Sequence, residues 1–242
     1  CGSHSHSCLA SAMSPLKPLA LLLAPVAALE LPTFLASDMI LPRAPLRPRI
    51  WGSASPGNKV VVQLLGQDSK PWEEKTTIAD SSGSWLVELE AREVARGLSL
   101  RISDKDSETD LRNLAFGDLW LCSGQSNMQF SVNDAFGAGE YIAKSKNPDI
   151  RLATVSMVVA GTPQPNVTSK APYVWSESKP EAFGTKGFSW PSAACYFFGV
   201  NLYEQLGRKV PIGLVDSSWG GQRVEAFSSP DALADKTCGA TA

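Results

Sequence analysis

Hydrophobic and polar positions alternate along the first third of the chain. The alternation is clearest in Trp85–Leu89, which predicts a half-buried strand. Other short apolar runs are bounded by turn residues such as Ser, Pro, Gly and Asp. They predict further strands at Met39–Leu41, Ile50–Gly52, Val60–Leu65, Thr76–Ala79 and Leu98–Ile102. Because no long helical pattern interrupts these runs, residues 29–113 are predicted to form a small β-rich domain of sandwich or jelly-roll type.

The period of the pattern changes after residue 113. Three apolar runs predict strands at Phe116–Leu121, Ile150–Val155 and Ile212–Val215. A helix that leads into a short apolar strand is half of a βαβ unit, which implies a parallel sheet. Residues 114–242 are therefore predicted to form an α/β domain with a parallel sheet and flanking helices. Three strands are too few to complete such a domain, so an edge and a face of the sheet are expected to be uncovered.

The strongest helical pattern comes just before the third of these strands. Ser189 can cap the helix, Pro191 suits an early helical position, and Gly207 ends it. Apolar side chains spaced four residues apart predict one shared face, made of Ala194, Phe198, Leu202 and Leu206.

A secretory signal is predicted at residues 13–28. Met13 is followed by one lysine, an apolar core of ten residues at Leu19–Ala28, and small residues suited to cleavage. This core is too short for a membrane span, which needs about 20 residues. Residues 1–12 are interpreted as translated upstream sequence, with an extended N-terminus as the alternative. The chain's only histidines, His4 and His6, lie there and are poor candidates for catalysis or metal binding.

Secretion makes Asn166, in the sequence Asn-Val-Thr, a candidate glycan acceptor. Beyond residue 28 the chain has three cysteines, Cys122, Cys195 and Cys238. An odd number in an oxidising compartment suggests a free thiol or a missing partner. Cys122 on an apolar strand and Cys195 on the apolar side of a helix can be explained as packed residues, which leaves Cys238 in search of a partner.

Composition and charge exclude several classes of partner. The chain has 242 residues, 43% of them hydrophobic and 19% charged, which is typical of globular protein. A net charge of −2 gives no reason to expect binding to nucleic acid or to an anionic membrane. The sequence contains neither a phosphate-binding glycine loop nor a C-x-x-C pattern, so no metal site is predicted.

The best candidate for catalytic chemistry is Ser126. It follows the predicted strand Phe116–Leu121 and the turn residue Gly124, and a helix that opens behind it would aim free N–H groups at an oxyanion on the substrate. The pattern lacks a glycine at position 128, so it is not the G-x-S-x-G elbow of α/β-hydrolases. The alternative is that Ser126 and Asn127 merely cap the following helix.

A second candidate turn, Ser217–Gly221, follows the strand Ile212–Val215. Its glycines leave backbone N–H groups exposed at the carboxyl end of a parallel strand, where open α/β sheets bind their ligands. Asp216 resembles the acid of a catalytic triad, but no histidine is present for it to orient, so a turn or capping role is favoured. Trp219 and Trp190 could form the walls of a sugar pocket, although tryptophans are more often simply buried.

The first of these turns closely resembles the nucleophile block of sialate O-acetylesterases, members of the SGNH-hydrolase superfamily. The resemblance rests on Gly117–Met128, GDLWLCSGQSNM, and covers residues 34–238 approximately. Further matching segments are Met39–Leu41, Ile50–Gly52, Pro56-Gly57, Trp175-Ser176, Lys179-Pro180, Ser192-Ala193, Cys195, Pro211–Val215, Ser217–Gly221 and Glu225-Ala226.

The resemblance implies an esterase that removes O-acetyl groups from sialic acids, in the lysosome or outside the cell. Ser126 would be the acylated nucleophile, and its own N–H with that of Gly220 or Gly221 would form much of the oxyanion hole, each donor stabilising the transition state by ~3 kcal/mol. Neither a metal nor an organic cofactor is expected, and the oligomeric state is left open. The residues expected to line the substrate pocket are Gln125, Asn127, Trp219 and Gln222.

The sequence also departs from that family. Relatives continue into a Gln-Gly-Glu block and an Asp-x-x-His block, which supplies the acid and base of the triad. Gln222 stands where many relatives carry threonine, and Phe227 replaces the usual tryptophan. The chain is therefore interpreted as an N-terminal piece with little or no activity by itself, because a serine without its base is a weak nucleophile. The alternatives are an esterase for another acetylated carbohydrate and a truncated, non-catalytic glycan-binding or inert product.

Overall fold

The computed structural model describes residues 28–162, 164, 166–167 and 174–235. The predicted upstream sequence and secretory signal, with His4 and His6, lie outside these residues, as do Thr168 and Cys238. Within the described residues, no helix is long and apolar enough to cross a membrane.

All nine predicted strands are confirmed, and one further strand near residue 177 was not predicted. Several strands are longer than predicted, because polar residues at their ends continue the backbone pairing, as Glu108–Asp110 do opposite Arg101–Ser103. The strands in these residues are Ile40–Pro42 (β1), Arg49–Ser53 (β2), Lys59–Leu65 (β3), Pro71–Ile78 (β4), Ser84–Glu88 (β5), Ala95–Ser103 (β6), Glu108–Gly124 (β7), Asn147–Thr154 (β8), Ser176–Ser178 (β9) and Ile212–Ser218 (β10).

In the part of the chain that the structure describes, four helices accompany these strands, and only one of them is longer than six residues. They are Ser126–Gln129 (α1), Ala138–Ala143 (α2), Ala193–Gln205 (α3) and Pro230–Ala234 (α4). Single 3-10 turns occur at Val132–Asp134, Pro180–Ala182 and Val224–Phe227. The fold is thus a mixed α/β fold in which a central sheet predominates.

The central sheet has eight strands in the order β4-β3-β6-β7-β10-β8-β9, and β1 also pairs with β7. The strand β7 pairs antiparallel with β6 along its first half and parallel with β10 along its second half. Because β10 is also parallel to β8, the three predicted parallel strands are neighbours in the order β7-β10-β8. Ser218 is paired with Gly124, so the carboxyl ends of β7 and β10 reach the same edge of the sheet.

The N-terminal strands are joined to this parallel region through β7, which crosses residue 113 without a break. The strands β2 and β5 form a separate, antiparallel two-stranded sheet. A distinct β-sandwich or jelly-roll domain is not confirmed, and the domain boundaries at 29–113 and 114–242 stay predictions. In the second half of β7, Leu119, Trp120 and Leu121 are exposed, and the Trp120 ring lies 5.0 Å from that of Phe198 on α3.

The helix α3 forms where predicted, but its cap and its buried face differ from the prediction. The cap is Ser192, whose hydroxyl accepts a hydrogen bond from the Cys195 N–H at 3.2 Å, and not Ser189. The predicted face was wrong, because Ala194 and Phe198 are exposed. The buried residues of the helix include Gly199, where a Cβ atom would come within 2.5 Å of the Leu214 side chain. The close approach of the helix to β10 at this glycine decides which face is buried.

A disulfide bond joins Cys122 of β7 to Cys195 of α3, with 5.9 Å between their Cα atoms. The interpretation of these two cysteines as merely packed residues was therefore wrong. The bond connects the strand that leads to Ser126 with the one long helix in the described part of the chain.

A second connection near β8 is a polar cluster around Asp149. The Asp149 carboxylate accepts hydrogen bonds from Arg96 at 2.7 Å and from the Tyr203 hydroxyl at 2.8 Å. Burial and the adjacent Asp149 carboxylate raise the pKa of Tyr203 to about 12, so this hydroxyl remains a donor at physiological pH. The cluster joins β6, β8 and α3.

Candidate active site

Ser126 stands at the sharp turn where β7 ends. Gly124 has a φ of +142°, and a Cβ atom there would lie 2.8 Å from the Met128 side chain, so only glycine fits comfortably. Ser126 is the first residue of α1 and its side chain is exposed. The turn therefore presents the hydroxyl at the carboxyl edge of the sheet, as the sequence predicts for a nucleophile.

The helix α1 leaves N–H groups available at the same place. Its internal bonding begins with the N–H groups of Met128 and Gln129, which donate to the carbonyl of Gln125 at 3.0 and 2.9 Å. The N–H groups of Ser126 and Asn127 precede these donors, as the first N–H groups of any helix do. Gln125 makes no side-chain cap, and neither do Ser126 and Asn127, so the alternative of a purely capping role has no support in this geometry.

The second predicted turn lies directly against the first. The Trp219 N–H donates to the carbonyl of Gly124 at 2.8 Å, and the Gln125 side-chain amide donates to the carbonyl of Gln222. These bonds hold residues 219–222 beside Ser126. The ends of β7 and β10, with the turns that follow them, therefore converge at one edge of the sheet.

Gly220 makes the closest approach to the serine. A Cβ atom at this position would lie 2.8 Å from the Ser126 Oγ and 2.9 Å from the Gln129 Oε1. The Gly220 N–H already donates to the Gln129 Oε1 at 2.8 Å, and Gln129 is only 6% exposed. Gly221 is exposed, has a φ of +78° and has open space around its Cα. Because the Gly220 N–H is already hydrogen-bonded, the Gly221 N–H is the better candidate of the two to donate to an oxyanion.

Gln129 and Met157 belong to this site but were not predicted. The Gln129 amide nitrogen lies 3.3 Å from the Met157 sulfur, while its oxygen holds Gly220. Gln129 is a buried polar residue three positions after Ser126, which places it on the same side of a helical turn. The three-residue spacing could therefore have indicated Gln129 from the sequence. No such signal existed for Met157, because its position beside Gln129 depends on how β8 pairs in the sheet.

A cavity of about 320 Å³ opens at the ends of β8 and β10. Trp219 and Gln222 line it, whereas Gln125, Ser126 and Asn127 do not. None of the described residues around it is charged. The remaining lining residues are Val155, Ser156, Met157, Val158, Ser217, Ser218, Ala226 and Phe227.

The other candidate residues have different surroundings. Asp216 is buried within β10 and not in a turn, and its carboxylate accepts hydrogen bonds from the N–H and hydroxyl of Ser218 at the end of the strand. Trp190 packs against Gly184 and does not line the cavity. Asn166 is exposed, and its side-chain oxygen accepts a hydrogen bond from the Thr33 N–H.

The described part of the chain supplies no general base to Ser126. It contains no histidine, and within it no side chain accepts a hydrogen bond from the Ser126 hydroxyl. No group of three or more potential metal ligands is found in these residues either. The described site therefore consists of an exposed serine, backbone N–H groups and a cavity without charged lining residues.

Replacing Gly220 with alanine is expected to lower kcat for ester hydrolysis by the whole protein by about 10²-fold. The new methyl group would displace Ser126 or Gln129, and a misplacement of about 1 Å can cost that much in rate. Steady-state kinetics and the melting temperature, measured together, would test this. Gly139→Ala is the matched control, because its Cβ meets nothing within 4 Å. Unchanged turnover in Gly220→Ala would show that this glycine does not position the serine.

A serine at the end of a parallel strand, facing a glycine turn from the neighbouring strand, is an arrangement expected of serine ester hydrolases. No family model matches the chain. Over 212 residues, 86% of the chain, the sequence is 32% identical to the sialate O-acetylesterase of Homo sapiens and 31% identical to that of Mus musculus. The resemblance to sialate O-acetylesterases, which are carboxylic ester hydrolases by name, is thus confirmed over most of the chain.

The chain spans about two fifths of these curated relatives, 40% of the human and 38% of the mouse protein. A carbohydrate acetylesterase from Xanthomonas citri has a similar solved structure, with a TM-score of 0.75 and 28% identity. That match covers 86% of this chain and 44% of the bacterial one. The fold described above is therefore shared with a carbohydrate acetylesterase.

Proposed function

We propose that Ser126 is the acylated nucleophile of a carboxyl-ester hydrolase that removes O-acetyl groups from sialic acids. The observation that carries the proposal is the close approach of Gly220 to Ser126, where the carboxyl ends of β7 and β10 meet: a Cβ atom at Gly220 would lie 2.8 Å from the Ser126 Oγ. The similarity to proteins named sialate O-acetylesterase supports the choice of substrate.

The chemistry needs two steps at Ser126. Its Oγ attacks the acetyl carbonyl, the serine proton passes to a base, and the sugar hydroxyl leaves with a proton. Water then hydrolyses the acetyl-serine and releases acetate. Backbone N–H groups of Ser126 and Gly221 would stabilise the oxyanion in both steps. Because the described residues offer no base, this activity is proposed for the whole protein.

A neutral acetylated carbohydrate is the second candidate substrate. The cavity beside Ser126 has no charged lining residue in the described part of the chain, and the bacterial relative is named a carbohydrate acetylesterase. A neutral sugar would need only the aromatic and amide groups of Trp219 and Gln222.

Acetate release by the whole protein would separate these substrates. We expect release from 9-O-acetylated sialic acid to exceed release from acetylated xylan at equal acetyl concentration. The reverse order would support the second candidate. Absence of acetate release from either substrate, by protein with a normal melting transition, would leave glycan binding without turnover as the function.

We also propose that the protein passes through the secretory pathway to the lysosome or the cell exterior. The Cys122–Cys195 disulfide supports this, since such bonds persist in oxidising compartments. Asn166 is expected to carry a glycan, because it is exposed within its acceptor sequence. Glycosidase treatment of protein from secretory cells should increase its gel mobility, and Asn166→Gln should abolish that shift. A shift that persists in Asn166→Gln would contradict this assignment.

A further inference from the structure

The cavity at the ends of β8 and β10 has no group that matches the carboxylate of a sialic acid. A sialic acid differs from neutral sugars by a carboxylate that is ionised at neutral pH. A binding site that prefers it gains from a fixed cation, and the described cavity wall contains none. The question is whether a free cation lies at the edge of this cavity.

Arg223 is the only described arginine without an ion-pair partner. The other nine arginines each have a carboxylate oxygen between 2.7 and 3.5 Å away. Arg223 is exposed, and Glu225, two residues further on, does not pair with it. The nine paired arginines are Arg43, Arg47, Arg49, Arg92, Arg96, Arg101, Arg112, Arg151 and Arg208.

Arg223 does not line the cavity, but its neighbours in the chain do. Gln222, just before it, lines the cavity, and its carbonyl accepts the hydrogen bond from Gln125, the neighbour of Ser126. Just after it, the 3-10 turn Val224–Phe227 adds Ala226 and Phe227 to the same cavity. Arg223 thus stands between two stretches that line the cavity, with its side chain exposed.

We propose that Arg223 binds the carboxylate of the sialic acid and thereby makes the esterase prefer sialate to neutral acetylated sugars. The inference rests on the proposed function and names the residue that decides its substrate. The planar guanidinium can donate two parallel hydrogen bonds to a carboxylate, which a lysine cannot do. Arg223 binds substrate and does not take part in the acyl transfer.

The test compares three substrates with the whole protein: 9-O-acetylated sialic acid, its methyl ester at the carboxylate, and acetylated xylan. Arg223→Gln is expected to raise KM for the free acid by roughly 10- to 100-fold, the range for a hydrogen-bonded charge pair. Its KM for the methyl ester and for xylan should stay unchanged. Arg208→Gln is the matched control, since Arg208 is an exposed arginine at the end of α3.

The salt dependence of KM tests whether Arg223 binds the substrate, because a merely structural role of Arg223 would not change it. In the wild-type protein, KM for the free acid should rise between low and high ionic strength, because an exposed ion pair is screened. In Arg223→Gln this rise should disappear, and Arg223→Lys should restore part of it.

Each outcome decides the matter. An equal loss on all three substrates, or a wild-type protein that does not distinguish the free acid from its methyl ester, would overturn the role of Arg223 and leave ester hydrolysis intact. Failure of the wild-type protein to release acetate from any of the three would instead refute the proposed function, and the role of Arg223 with it.

Discussion

Replacing Ser126 with alanine is expected to lower acetate release by the whole protein at least about 10³-fold, because the hydroxyl that forms the acetyl intermediate is lost. Folding should be unaffected, since the Ser126 side chain is exposed and makes no hydrogen bond to another described residue. Two measurements check this: acetate release from 9-O-acetylated sialic acid, and the melting temperature of both proteins.

Ser123→Ala is the matched control for this experiment. Ser123 is an exposed serine on β7, three residues before Ser126, and its hydroxyl donates only a long bond, 3.4 Å, to the carbonyl of Ser217. Its loss should leave turnover within about twofold of wild type, as for most exposed substitutions. Retained turnover in Ser126→Ala would refute the nucleophile assignment, and a matching loss in Ser123→Ala would indicate a general disturbance of the β7 turn.

The meeting of the two turns was predictable from the sequence because parallel strands end at the same edge of a sheet. Polar and glycine residues follow both predicted strands, Phe116–Leu121 and Ile212–Val215. A helix precedes the second strand, which indicates that the two strands run parallel and therefore end at the same edge of the sheet. The short alternating strands of the first third were predictable for the same local reason. In these cases neighbouring residues carry the whole signal.

Features that depend on distant residues were not predictable. The buried face of α3 depends on how closely Gly199 approaches Leu214, which an apolar stripe in the sequence does not reveal. Gln129 acquires its role only when Gly220, 91 positions later, donates to it. The strand Ser176–Ser178 is too short for a pattern and forms by pairing with β8. Each of these features is determined by contacts between residues that are far apart in the sequence.

The disulfide is the clearest such case, and its removal is expected to have the largest effect on stability. The double variant Cys122→Ala/Cys195→Ala should lose about 4 kcal/mol of unfolding free energy, the chain-entropy value for a closed loop of this length. The loop spans 73 positions, and both cysteines are buried. Denaturant unfolding monitored by tryptophan fluorescence would measure the change, and alanine avoids adding a buried hydroxyl without a partner.

Reduction of the wild-type protein should reproduce the effect, so the test stands even where the double variant folds poorly. Reductant should lower the denaturation midpoint of wild type and leave that of the double variant unchanged. Cys238→Ser is the control, since it removes a cysteine that is not part of the Cys122–Cys195 pair. Wild type that is insensitive to reductant, with the double variant equally stable, would contradict the bond.

Because Cys122 lies four residues before Ser126, the same reduction should also lower kcat: the disulfide ties the strand that carries the nucleophile to α3.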